Sequence, residues 1–182
     1  MNSLLVFVVL SLIAIVFSHK SLRAFRSHGF YRFWSWECII GIFAFNYKFW
    51  FVEPFSIRQI CSWLLLIISI YLVLAGINRL KKAEKATSTR KDKALYNFEK
   101  TSELIVNGIF SYIRHPMYSS LMMLAWGVML KNITVWTLAM ACAATFFLYL
   151  TALADERECM AYFGDSYKKY MSRTKRFIPF IF

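Results

Sequence analysis

Five apolar runs, separated by polar breaks that hold nearly all of the positive charge, constrain this 182-residue chain more than any other feature. Ile60–Ile77 and Ile133–Ala154 approach or exceed the roughly 20 apolar residues that a helix needs to cross a bilayer core. Leu4–Phe17 and Met117–Leu130 are shorter, and Phe33–Val52 is long enough but carries Glu37, Asn46 and Lys48. Charge at membrane depth is costly, so Lys48 is expected to snorkel to one interface, with Glu37 toward the other end of its helix. Apolar residues make up 59% of the chain and charged residues 18%, which excludes a disordered chain and argues against a water-soluble globule. The reading is an all-α integral membrane protein with about five transmembrane helices.

The net charge is +12, which in another chain could mean nucleic acid. Here the basic residues sit in loops between apolar runs, the arrangement that orients membrane proteins, so no nucleic-acid partner is expected. The loops Lys20–Arg32 and Arg79–Arg114, together with the tail, fall on one side; Glu53-Pro54 and Lys131-Asn132 fall on the other. The positive-inside rule then puts the N-terminus outside and the C-terminus in the cytosol, in a bacterial inner membrane or the endoplasmic reticulum. The first run has basic residues after it and no small-residue cleavage site, so it reads as a retained helix. Cys38, Cys61, Cys142 and Cys159 have neither CxxC nor Cys/His spacing, and no metal site is expected.

The chain divides into three N-terminal helices (1–78), a basic loop (79–116), a hairpin of helices four and five (117–154) and a cytosolic amphipathic segment (155–182). Chemistry-bearing residues gather at the two open ends of that hairpin. Gly108-Ile109-Phe110-Ser111-Tyr112-Ile113-Arg114-His115-Pro116-Met117-Tyr118 precedes the fourth helix, and Asp155-Glu156-Arg157-Glu158 follows the fifth. A hairpin brings His115, Arg114 and Tyr118 near Asp155 and Glu156 at one membrane surface. A helix start offers unpaired N–H groups to an anionic group, and carboxylates opposite suit a cationic group or hydroxyls. An amphipathic ligand with both is the natural guest.

Three segments carry a family likeness: 108–118, Asp-Glu-x-x-Cys-x-x-x-Phe-Gly-x-x-Tyr-x-x-Tyr at 155–170, and Arg-Phe-Ile-Pro at 176–179. Over residues 102–182 the chain resembles the isoprenylcysteine carboxyl methyltransferases and the related integral-membrane phospholipid methyltransferases. The resemblance implies an S-adenosylmethionine-dependent methyltransferase whose lipophilic acceptor enters from the bilayer. It also implies a cofactor site made of Ser102, Glu103, Leu104, Ile105, Phe110, Arg114, His115, Pro116, Met117, Tyr118, Asp155 and Glu156. His115 and Glu156 are the candidate catalytic groups should the acceptor be an amine that must lose a proton. The chain departs from the isoprenylcysteine pattern at four positions: Asp155-Glu156 replaces Glu-Glu, Ser102 a His, Phe110 a Tyr, and Thr151 an Arg that contacts substrate in that family. Membrane sterol reductases, which use a nicotinamide cofactor, end in a similar motif and are the rival enzyme reading; a phospholipid N-methyltransferase and a non-catalytic scaffold are the others.

Overall fold

The computed structural model describes residues 2–84 and 104–180. Six α-helices account for most of them: α1 (Ser3–Arg23), α2 (His28–Asn46), α3 (Ile57–Glu84), α4 (Pro116–Met129), α5 (Val135–Phe163) and α6 (Asp165–Arg173). Among the described residues there is no strand beyond one isolated bridge pairing Ile113 with Lys175. The chain is an all-helical integral membrane protein. By length and composition α1, α3 and α5 can each cross a bilayer. The α4 helix has 14 residues, about 21 Å at the 1.5 Å rise per residue, short of a core about 30 Å thick.

The helices form a row in which α1 packs on α2, α2 on α5, α5 on α4, and α4 on α3, with α2 also touching α4. The outer helix α1 hides only 11% of its most apolar window, against 39% for α5. Continuous apolar surface of that size is stable in lipid and not in water. The core lies where α2, α3, α4 and α5 meet, around Ile39, Ile42, Leu66, Ala125, Val128, Ala141 and Ala144. Small residues set the α3–α4 spacing. A Cβ on Gly127 would stand 3.0 Å from Leu66. Ser62 donates to the Gly127 carbonyl at 2.6 Å and Ser69 to that of Ser120 at 2.8 Å. Without a hydrophobic drive between helices in lipid, close approach and interhelical hydrogen bonds of this kind hold them together.

The helix ends differ from the sequence expectation in an instructive way. Ser27 caps α2 through Phe30, so the helix starts at His28, five residues before the apolar run begins, and it stops at Asn46 instead of Val52. Lys48 falls in the short 3-10 turn Tyr47–Phe49 and is exposed. Glu37 sits mid-helix, accepting a 2.5 Å hydrogen bond from Ser11 of α1. The α5 helix runs on to Phe163, well past Ala154, and Gly164, at φ +57°, ends it. Apolar content stops where the bilayer stops; helix propensity does not.

The α4–α5 turn is closed by a buried polar network. The Asn46 amide donates to the carbonyls of Val128 (2.8 Å), Met129 (3.2 Å) and Asn132 (3.1 Å). Lys131, fully buried, donates to Gln59 Oε1 at 3.0 Å and lies 3.5 Å from the Trp63 ring centroid. The last carbonyls of a helix have no partners within it; Asn46 supplies them here, with Arg58 donating to Leu130 O at 2.8 Å and to Lys131 O. Asn46→Leu should therefore lower the thermal unfolding midpoint of the detergent-solubilised protein, an effect of about 1–3 kcal/mol for stranded buried carbonyls. Lys48→Gln, at an exposed site in the next turn, should leave it unchanged.

Candidate active site

The site is assembled where the tail crosses the start of α4. Residues 112–115 are irregular and run parallel to 174–177. Lys175 N–H donates to Tyr112 O (3.2 Å), Arg114 N–H to Lys175 O (2.8 Å) and His115 N–H to Arg176 O (3.1 Å). Pro116 opens α4 at its first turn, where its missing N–H costs nothing, and Ser119 fastens the tail again by donating to Phe177 O at 2.9 Å. Tyr170 of α6 donates to Phe110 O at 2.7 Å, tying the 3-10 turn Gly108–Ser111 to the same layer. Part of the N–H set that the start of α4 offers is thus already used within the chain.

Glu156 lies at the centre. It is 3% exposed, and a buried carboxylate is tolerable only when paired and hydrogen-bonded. Arg114 Nε donates to its Oε1 at 3.0 Å. Arg176 grips both oxygens, Nε to Oε1 at 3.0 Å and a terminal nitrogen to Oε2 at 2.8 Å, the two-pronged geometry that makes guanidinium–carboxylate pairs strong. Arg114 also donates to the backbone carbonyls of Met171 (3.1 Å) and Thr174. One carboxylate thereby joins α5, the start of α4 and the tail.

Asp155, one residue earlier, faces a different set. The Tyr118 hydroxyl donates to its Oδ2 at 3.1 Å, and His115 Nδ1 is 3.5 Å from the same oxygen. His115 is buried between the two acids, with Nε2 3.3 Å from Glu156 Oε1, and its ring stacks on Tyr118 at 5.3 Å. Burial lowers its pKa, but hydrogen bonds and charge from Asp155 and Glu156 outweigh that and hold the imidazole above its ordinary value of 6.5. The two acids differ in access: the Asp155 side chain is 20% exposed and that of Glu156 4%.

Leu104, Ile105, Phe110 and Met117 are half-buried, and Ser102 and Glu103 lie outside the described residues. Thr151 is fully buried, and its hydroxyl donates to Phe147 O of its own helix at 2.7 Å, so no cation occupies that place. Two contributors escape a sequence reading. Arg176 stands in the Arg-Phe-Ile-Pro motif, but nothing local announces its partner. His28, at the start of α2, makes two hydrogen bonds to Glu158, from its N–H at 3.1 Å and through Nδ1 at 2.6 Å, across 130 residues of chain.

Beside the cluster an apolar groove of about 500 Å³ runs along α4 and α5, lined by Ser119, Met122, Met123, Phe146, Tyr149 and Phe177 among others. Phe177 connects the two, its ring 6.2 Å from that of His115. Tyr149 does the same beneath Arg176, at 5.4 Å.

Comparison with known proteins places the chain in context. The sequence profile of the phospholipid methyltransferase family matches residues 57–168. A methanethiol S-methyltransferase of Crocosphaera subtropica is 25% identical over 160 residues, covering 82% of this chain and 55% of that protein. A protein-S-isoprenylcysteine O-methyltransferase of Schizosaccharomyces pombe is 33% identical over 79 residues, covering 43% of this chain and 34% of its own length. A methanethiol S-methyltransferase of Pseudomonas deceptionensis is 20% identical over 148 residues, covering 81% and 50%. The chain spans about half or less of the length of these relatives. No solved structure matches it.

The His115 cluster has a pH signature. With its folded pKa raised, the stability His115 contributes is complete below its ordinary value of 6.5 and is lost as pH rises through the higher folded value. The unfolding midpoint in detergent should therefore fall as pH climbs through and above neutrality, and His115→Gln should shrink that step, leaving the part due to His28, which, against its burial, Glu158 also holds above 6.5.

Proposed function

Because the chain belongs to the phospholipid methyltransferase family, we propose that it transfers a methyl group from S-adenosylmethionine to a lipophilic acceptor at the membrane surface, at the His115–Asp155 cluster. The observation that carries this reading is a partly open carboxylate, Asp155, on α5 beside the start of α4, linked through His115 and Phe177 to an apolar groove. The donor set fits the cofactor. Asp155 suits a cationic amine or ribose hydroxyls, and Phe110, whose carbonyl Tyr170 ties to the same layer, is an apolar residue available to an adenine ring. When bound, the cofactor supplies a methyl group on a sulfonium, with a neutral thioether as the leaving group.

The protein's own share is then binding and alignment. Tyr118 and His115 hold Asp155 in place from two directions. Glu156 is a positioning residue and a poor base, since two guanidiniums paired to it lower its affinity for a proton. A carboxylate or thiolate acceptor needs no general base, and alignment of well-oriented partners supplies effective molarities up to about 10⁵–10⁸ M. The groove along Met122, Met123 and Phe146 receives the apolar part of the acceptor and keeps water from the reacting pair.

A second acceptor class has an observation of its own. Two relatives named for methanethiol match more than four-fifths of the chain and a third matches 71 residues, whereas the relative named for isoprenylcysteine matches 79. Buried Thr151, where the isoprenylcysteine pattern has an arginine, removes a cation that would meet a substrate carboxylate. The groove favours the long acceptor and Thr151 the small thiol. Transfer of labelled methyl from S-adenosylmethionine to a farnesylated cysteine and to methanethiol separates them, in wild type and in Cys142→Trp, since Cys142 of α5 also lines the groove and an indole there would fill it. Farnesylcysteine methylation that falls about tenfold or more in the variant, the loss of about 1.4 kcal/mol of apolar contact, supports the lipophilic reading. Methylation of methanethiol alone, indifferent to the variant, would replace it with the thiol reading.

A further inference from the structure

A second cavity, of about 650 Å³, lies on the other flank of the segment that leads into α4, between the end of α3 and the turn at Gly108–Ser111. Among the described residues its lining includes Tyr71, Asn78 and Arg79 of α3 with Gly108, Ser111 and Tyr112 of the turn. None of these residues takes part in the His115–Asp155–Glu156 cluster. Three features make it more than a surface dent.

First, the polar side chains there are donors. Arg79, the Asn78 amide and the hydroxyls of Tyr71 and Tyr112 can all give hydrogen bonds, and among the described residues no carboxylate lines the cavity. The Ser111 hydroxyl is already committed to Gly108 O at 2.6 Å. Among the described residues no acid pairs with Arg79, in contrast to Arg114 and Arg176, each of which grips Glu156. Second, the arginine is seated. Gly108, at φ +65°, has no side chain, and a Cβ there would stand 2.4 Å from Arg79 Nε. The guanidinium therefore lies across bare backbone, a placement that a larger residue at 108 would deny. Third, the depth is right. Asn78 and Arg79 close the apolar stretch of a helix able to cross a bilayer, and exposed Tyr71 and Tyr112 flank them as interfacial aromatics do. That is the level of lipid phosphates.

We propose that this cavity binds a phosphate group, carried by the headgroup of a bilayer phospholipid that serves as a structural ligand and not as the methyl acceptor. A guanidinium offers a planar fork that matches two phosphate oxygens at once, and Asn78 and the tyrosines add neutral donors around it. The net charge of +12 draws such an anion to the chain. Occupation would brace the turn whose Phe110 carbonyl is held by Tyr170, and so steady one wall of the methyl-transfer site from outside it.

The test uses the full chain purified in detergent, with native mass spectrometry reading bound lipid. The probes are dioleoyl phosphatidylglycerol and dioleoylglycerol, which share their tails and differ in the phosphate. The wild type should retain one phosphatidylglycerol under conditions that strip dioleoylglycerol. Arg79→Gln should lower that retention about tenfold, the factor that one charge-assisted contact is worth, with Arg79→Lys in between and Lys48→Gln at the wild-type level. Inorganic phosphate as competitor separates the sources of the anion. Displacement of the lipid means the phosphate alone suffices; its failure means the lipid tails are needed as well. Equal retention of both probes, or an Arg79→Gln variant that holds phosphatidylglycerol as well as the wild type, would overturn the proposal. Because the readout is lipid retention and not methyl transfer, failure here leaves the reading of the His115 cluster standing, and failure of that reading leaves this one.

Discussion

A carboxylate buried at the edge of a membrane has to be neutralised, and Glu156 is neutralised by groups from two distant parts of the chain. Arg114 approaches from the start of α4 and Arg176 from the tail, with His115 on the remaining side. Removing one partner from a buried ion pair typically costs about 3–5 kcal/mol, because the charge left behind is uncompensated. The cluster therefore acts as a fastening. The tail must lie across the α4 start, the parallel bridge between Ile113 and Lys175 follows, and Ser119 and Phe177 complete the closure. Specific geometry at this surface comes from that requirement more than from apolar packing, which would tolerate sliding.

The opposite end of the hairpin is solved by the same physics with different groups. Lys131 is buried against the Trp63 and Trp50 rings and Gln59, and Asn46 feeds the carbonyls at the end of α4. A short α4 becomes workable because both of its ends are satisfied by neighbours, the tail at one and α2 with α3 at the other. Between them α4 lies close on α3, with Gly76 against Met117, Gly127 against Leu66 and two serine hydrogen bonds along the seam. Rigid ends and this seam leave room for the groove along Met122 and Phe146, which opens beside the cluster instead of through it.

Much of this was legible in the residues. The apolar runs identify the helices, and the family likeness rests on short motifs whose spacing survives reading by eye. The helix ends were less legible, since hydropathy marks where lipid begins and not where hydrogen bonding stops. Thus α5 continues through Asp155-Glu156-Arg157-Glu158, whose charges are matched by His28, Arg114 and Arg176. The finer roles at the site depend on partners far away in sequence. Arg114 reads as a ligand-binding cation beside His115-Pro116, but its guanidinium is turned onto Glu156 and the tail carbonyls. Asp155 and Glu156 look interchangeable as a pair of adjacent acids. A 100° step around the helix sends one to two arginines and the other toward open space beside Tyr118.

The central claim is that the Glu156 fastening builds the pocket in which Asp155 meets the methyl donor. Calorimetric titration of the detergent-purified chain with S-adenosylhomocysteine tests it most directly, for wild type, Asp155→Asn and Arg176→Met. The account predicts micromolar binding by the wild type and a loss of about tenfold or more in each variant, the scale of one charge-assisted contact, with helix content retained. No binding by a folded wild-type sample would contradict it, and so would an Arg176→Met variant that binds as tightly as the wild type.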